Sequence, residues 1–253
     1  GTVALEELAR RRGLALLFDS AHAFGSHHAG RPIGSFGRCE VFSFHATKVF
    51  NTLEGGAVAT DDDDLAEKIR LMRNFGFAGL DRVIYSGTNG KMNEASAAMG
   101  LTNLEALPDF VAWNRAAYEA YREALSALPD LRVLDYPADG RANYSYVACE
   151  VGPELGIGRD TLVRILHAEN VRARRYFWPG CHRMEPYATL FPGEIAHLPV
   201  TEAVASRILV LPTGGHRGAD NARAVGALLV WLSENRTELA ARLSELEPQE
   251  AAR

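Results

Sequence analysis

The apolar positions change period several times along the chain, and each change marks an element. Val3, Ala4 and Leu8 recur at helical spacing and Gly13 closes the run, as in the last turns of an amphipathic helix. The chain starts at Gly1 with this helix already under way, so it is expected to begin inside a domain. Next comes "LALLF" (Leu14–Phe18), a continuous apolar run ending in Asp19, the pattern of a strand covered on both faces in a parallel sheet. "CEVFSF" (Cys39–Phe44) and "GAVAT" (Gly56–Thr60) predict two further strands. Asp61–Asp64 precede Leu65, Ile69 and Met72 at helical spacing. Carboxylates facing the positive end of a helix dipole explain those aspartates better than a metal site does.

Residues 91–107 predict an alanine-rich helix stopped by Pro108, and Phe110–Leu128 a second, long one. From Leu131 the elements shorten. Strands are expected at Arg132–Leu134, Tyr144–Val151 and Ile208–Pro212, a helix around Asp160–Ala168, and a closing helix over 221–235 before a polar tail that frays. With no internal repeat or low-complexity linker, the change of texture places a boundary within 108–130, dividing the chain into 1–112 and 113–253.

The 253 residues, 47% hydrophobic and 23% charged, suit one large domain or two modest ones. A net charge of -5 gives no reason to expect nucleic acid or an anionic membrane as partner. No apolar stretch approaches a membrane span and no signal-peptide pattern opens the chain. Cys39, Cys149 and Cys181 are odd in number and far apart, which fits reduced thiols in a cytoplasmic protein.

The chemistry gathers where strands end. Asp19 closes one predicted strand, His22 and Gly25 follow in "DSAHAFGS", and Lys48 follows the next strand in "SFHATK". Open α/β sheets bind ligands at such carboxyl ends. A nucleophilic lysine must be neutral for part of its cycle, which burial and nearby positive charge favour. Lysines so placed form Schiff bases with carbonyl compounds, including pyridoxal 5'-phosphate, whose pyridine nitrogen needs a carboxylate partner. An Asp and a Lys on two strand ends meet both needs, although a buried Asp–Lys pair can also be structural. His45 and Thr47 are expected to shape the turn that presents Lys48, and His27–His28 lack the spacing of a zinc site.

Five blocks occur in order: "FDSAHAFGS", "GRCEVFSFHATKVFNTLEGGAVAT", "YSGTNGKMNEASAAMGLTNLE", "PGCHRMEPY" and "LPVTEAVASRILVLPTG". Together they resemble the DegT/DnrJ/EryC1/StrS family of sugar aminotransferases, from about residue 3 to residue 235. The resemblance implies an α/β, fold-type I pyridoxal phosphate-dependent transferase of the aspartate aminotransferase kind. Residues 1–112 would be the C-terminal portion of its large, cofactor-binding domain, with a mixed, mostly parallel sheet. Residues 113–253 would form the smaller C-terminal α+β domain. Lys48 would carry the cofactor as an aldimine and move the proton, with Asp19 facing the pyridine nitrogen and His22 packed against the ring. Ser43 would contact the cofactor phosphate. Asn89 would reach the phosphate of a partner subunit, making a homodimer part of the site. Gly55 and Gly56 would act through the backbone, and Glu54 would have no catalytic part. Family members carry a longer N-terminal region, which cradles the phosphate and supplies a stacking aromatic.

The implied reaction is a ping-pong amino transfer from L-glutamate to a keto group of a nucleotide-linked sugar, with a dTDP-4-keto-6-deoxy sugar favoured by "FWPGCHRMEPY". In the Arg- and aromatic-rich stretch Val171–Tyr187, the resemblance makes Arg174, Arg175, Tyr176 and His182 candidate contacts to the sugar nucleotide, beside the alternative of solvated surface side chains. Two other readings stay open. One is a sugar dehydratase on the same scaffold, in which histidine replaces the lysine that stands here at position 48; the other is a catalytically silent fragment.

Overall fold

The computed structural model describes residues 1–138, 140–193, 197–239 and 241–242. Of the polar tail expected to fray, residues 240 and 243–253 lie outside the described residues. Two compact units emerge: Gly1–Val111 with Tyr136–Ser145, and Ala112–Asp135 with Tyr146–Arg253. The sequence boundary after residue 112 lies one residue from the first crossing, but the pattern gave no sign that Tyr136–Ser145 packs with the first unit.

In the first unit, helix α1 (Thr2–Arg12) ends on Gly13, whose left-handed φ of 61° returns the chain and whose N–H caps the carbonyls of Ala9 and Arg10. Strand β1 (Leu17–Asp19), β2 (His27–His28), β3 (Arg31–Pro32), β4 (Cys39–Ser43) and β5 (Gly56–Ala59) follow, then helix α2 (Asp63–Met72). The main sheet has the order β1-β4-β5, with β1 parallel to β4 and β5 antiparallel to it, so it is mixed. Asp62 caps α2 by accepting from Leu65 N at 2.9 Å, with Asp63 and Asp64 in the first turn.

The expectation of a strand buried on both faces fails at β1. Only three residues pair, and Leu17 is 60% exposed. Alternation sorts the side chains onto two faces. Register puts Leu17, Asp19, Cys39, Val41 and Val58 on one face, where Cys39 is buried but Leu17, Val41 and Val58 are exposed. Phe42, on the other face, packs with Phe44, Phe50 and Phe24 into the aromatic core.

Helix α3 (Glu94–Ala124) runs unbroken through Pro108, where two helices were expected. An interior proline costs roughly 3 kcal/mol. Strong helix formers on both sides, and the burial of Ala117, Ala120 and Tyr121, offset that cost.

The second unit takes residues from Ala112 onward. Strand β6 (Leu131–Val133) precedes β7 (Gly140–Arg141), a first-unit strand that pairs with β2 in the small antiparallel sheet β3-β2-β7. Strand β8 (Val147–Val151), helix α4 (Arg159–Ala168), helix α5 (Tyr187–Leu190), helix α6 (Pro199–Ala205), strand β9 (Ile208–Leu211) and helix α7 (Gly218–Glu234) complete the unit. Its antiparallel sheet is β6-β8-β9, with α4 against β9 and α7 beside Ala117 and Ala124 of α3; Leu162, Leu166, Val225 and Leu229 of these helices are buried. All three cysteines are free thiols. Among the described residues no helix is long and apolar enough to cross a membrane.

Candidate active site

Because β1 and β4 are parallel neighbours, their carboxyl ends lie side by side, and each carries a functional group. Asp19 ends β1; its Oδ1 accepts from Ala21 N at 3.0 Å, and Ser20 N donates to Val41 O at 2.9 Å. Beyond β4 the chain turns sharply, with Lys48 N donating to His45 O at 2.9 Å. His45 Nδ1 lies 2.9 Å from Thr47 Oγ1 and accepts from Thr47 N at 3.2 Å, so its proton belongs on Nε2, which faces Glu54 at 3.4 Å. Those bonds shape the turn. Phe44 N donates to Gly55 O and Thr52 N to Phe44 O, closing the excursion back onto β5. Gly56 is required there: a Cβ would stand 2.7 Å from the Phe42 carbonyl oxygen.

Lys48 Nζ lies 3.2 Å from both Nδ1 and Nε2 of His22. In the plane of the ring, equal distances would drive the amine into Cε1, so it sits over the imidazole face. Burial holds the Lys48 amine below the ordinary lysine range, while the Asp19 carboxylate pulls it partly back. His22 is likewise lowered, first by burial and then by the Lys48 charge, against the opposing pull of Asp19. Three groups from two strand ends are thus electrostatically linked, with a primary amine biased toward its neutral form.

Two buried polar residues behind this site escaped the sequence reading. Glu40, 1% exposed, accepts from Ser20 Oγ, from Gly34 N at 2.6 Å and from Phe36 N at 2.8 Å. Asn143, 3% exposed, donates to the carbonyls of His22 and Phe24. The only local signal for Glu40 was a charge inside an apolar strand, and Asn143 had none.

Ser43 is the last residue of β4, and its hydroxyl accepts from His45 N at 3.4 Å. Asn89 stands on an exposed segment bridged to Asn74 just past the end of α2. The other four candidates belong to the second unit. Arg174 lies over the Tyr176 ring at 4.7 Å, and Tyr176 stacks on Phe177. Arg175 pairs with Asp160 at 3.0 Å and covers Trp178 at 4.5 Å. His182 has a buried side chain bonded to Glu202, which Arg183 also grips through both oxygens. Those hydrogen bonds, Arg183 first, hold the Glu202 carboxyl down at about 2.

Residues 3–230 match the DegT/DnrJ/EryC1/StrS aminotransferase family. The chain is 33% identical over 219 residues to a dTDP-4-amino-4,6-dideoxy-D-glucose transaminase of Shigella dysenteriae, covering 87% of this chain and 59% of that protein. It is 34% identical to GDP-perosamine synthase of Caulobacter vibrioides, covering 88% and 60% respectively. Among solved structures, DesI crystallised in the presence of its TDP-sugar product superposes with a TM-score of 0.86 at 47% identity, covering 96% of this chain and 62% of DesI. The chain therefore spans about 60% of the length of the proteins it matches. With a fold-type I architecture and a match over nearly its whole length, the chain belongs to the DegT/DnrJ/EryC1/StrS aminotransferase family.

Proposed function

We propose that this chain carries the lysine-bearing part of a pyridoxal phosphate-dependent aminotransferase. It would move an amino group from L-glutamate to a keto group of a nucleotide-linked deoxysugar, in a ping-pong cycle. One observation carries the reading: a lysine amine lowered by burial, set over an imidazole, with a carboxylate on the adjoining parallel strand end.

The donor set fits the cofactor. Lys48 offers an amine for its aldehyde, Asp19 a charge for its ring nitrogen, His22 a flat face for the ring and Ser43 a hydroxyl for the phosphate. When bound, pyridoxal phosphate supplies an electron sink for the pair left by a breaking C–H bond. The protein's part is positioning and proton transfer. Lys48 Nζ would take a proton from the amino-bearing carbon of the donor and, within the same half-reaction, deliver it to the cofactor carbon that keeps the nitrogen; with the keto sugar the proton would move the opposite way, onto the sugar carbon. Asp19 would set its carboxylate against the cofactor's ring nitrogen and favour the protonated form of that nitrogen. Residues 1–112 form the cofactor-binding portion and 113–253 the smaller domain in this reading, with Tyr136–Ser145 structurally part of the former.

Arg174 and Tyr176 are proposed as the contacts to the nucleotide's pyrophosphate and to a base or sugar face, because that guanidinium has no carboxylate partner recorded among the described residues. Arg175 and His182 are bound instead to Asp160 and Glu202. A homodimer completes the proposed site through Asn89 of a second copy. The free thiols and the nature of both substrates point to the cytoplasm. The named activities of the Shigella protein and of DesI favour a dTDP-linked substrate, the Caulobacter protein a GDP-linked one. The shared chemistry is a keto sugar on a nucleoside diphosphate.

The test adds pyridoxal phosphate and L-glutamate to the chain and follows 2-oxoglutarate release, then recovery of the starting absorbance on addition of a dTDP-4-keto-6-deoxy sugar. Lys48→Ala abolishes both half-reactions. Cofactor binding with no 2-oxoglutarate would favour the silent reading, and release of water from the sugar without amino transfer would favour the dehydratase.

A further inference from the structure

The turn Asp19–Phe24 carries two of the three linked groups, and it is tied down from two directions. Glu40 grips the residue directly after Asp19 through Ser20 Oγ. Asn143 grips the other end: its Nδ2 donates to His22 O at 2.9 Å and to Phe24 O at 3.0 Å, while its Oδ1 accepts from Ser145 N at 3.1 Å. Asn143 is 121 positions from His22 in sequence. It reaches the turn because β7 pairs with β2, His27 opposite Arg141 and His28 opposite Gly140, within the first unit.

The match between group and task is close. A carboxamide nitrogen has two donor hydrogens, and two carbonyls two residues apart take both, while the carboxamide oxygen accepts from Ser145 N. A carboxylate of the same size would turn acceptors toward acceptors. The two gripped residues are also the ones that matter locally. Phe24 stacks on Phe50 at 4.5 Å and meets Phe42 and Phe44 edge-on, so its backbone is anchored to the aromatic core. His22 faces outward, beneath the Lys48 amine. Fixing both carbonyls fixes the direction in which the His22 side chain leaves the backbone.

We propose that Asn143 is a positioning residue for the amine site: it clamps the carbonyls of His22 and Phe24 and so holds the His22 ring against Lys48 Nζ. Its importance for amino transfer rests on the reading of Lys48 given above, while the clamp itself is a property of this chain alone.

The decisive measurement is the pH titration of the His22 ring by NMR in the cofactor-free chain, for wild type, Asn143→Ala, Asn143→Ser and Leu166→Ala. Among the described residues, Lys48 and Asp19 are charged groups that act on His22, and neither is altered in any of these variants. In Asn143→Ala the ring leaves the amine and its partly desolvated position, and its titration climbs toward the ordinary histidine value. Asn143→Ser, which keeps one donor hydrogen, falls between. Leu166→Ala weakens the fold in the second unit and leaves the His22 titration where it was. Wild-type titration of His22 in a folded Asn143→Ala overturns the proposal. If that variant does not fold, the wild type decides: clamped side-chain amide protons of Asn143 exchange with solvent at least tenfold more slowly than those of an exposed asparagine, and equal exchange overturns the clamp. A second arm uses pyridoxal phosphate with borohydride, where Asn143→Ala lowers the rate of Lys48 modification about tenfold. Absence of any Lys48 adduct in the wild type would refute the functional reading, whereas the titration judges Asn143 separately.

Discussion

Two three-stranded sheets of similar size differ sharply in how they are covered. In the second unit, Leu131, Val147, Cys149, Leu209 and Leu211 are each 1% exposed or less. In the first, Leu17, Val41 and Val58 on one face are 60%, 43% and 39% exposed, and only the opposite face joins the phenylalanine cluster. The chemistry sits on the less covered sheet. Burial of apolar area contributes about 25 cal/mol per Å2, so stability concentrates in the sheet that carries none of the three linked groups. Directional bonds at Glu40 and Asn143 hold the turn that follows β1.

The largest expected effect comes from core truncation. Leu209→Ala leaves a cavity and costs ~2–5 kcal/mol, whereas Leu17→Ala stays within ~0.5 kcal/mol in denaturant titrations. Equal losses would erase the contrast. Thiol labelling sharpens it, because each sheet holds a buried cysteine on its central strand, Cys39 in β4 and Cys149 in β8. Exposed Cys181 labels at once, and Cys39 at lower denaturant than Cys149, whose thiol burial pushes up to about 12. Labelling of Cys149 before Cys39 would reverse the ranking.

A smaller effect concerns charge. The Asp19 carboxylate raises the Lys48 amine against the downward pull of burial. In Asp19→Asn that support is lost, so the pH profile for Lys48 modification by an aldehyde shifts toward lower pH; a shift upward, or none, contradicts the linkage. The smallest lies in the second unit. Glu202 is lowered to about 2 in the folded chain, so its contribution is fully present above the ordinary carboxylate range and disappears as pH falls toward about 2. Glu202→Gln removes this acid-dependent part of the stability, read as a flatter unfolding midpoint between pH 4.5 and 2.

Much of this was legible along the chain, for physical reasons that can be named. β4, β5, α2, α4 and α7 rest on long apolar periods or on carboxylate caps, and the structure places them within a few residues of expectation. Lys48, Asp19 and His22 were visible because reactive residue types stood at strand ends. Pro108 misled because its local cost is real but smaller than the helical preference around it. The β2–β7 pairing was invisible: two-residue strands have no period, and the partners are more than a hundred positions apart. Asn143 was lost with it, since a polar residue in a loop has no signal until tertiary pairing brings it to His22. The exposed face of β1 was missed because alternation cannot show what covers a strand.

The central claim is that Lys48 is the reactive amine. The chain has only three lysines, Lys48, Lys68 and Lys91, so one experiment tests it cleanly. Brief exposure to pyridoxal phosphate near neutral pH, reduction with borohydride and peptide mapping should place the adduct on Lys48 ahead of the other two. Equal modification of all three, or adducts confined to Lys68 and Lys91 in the folded chain, would contradict it.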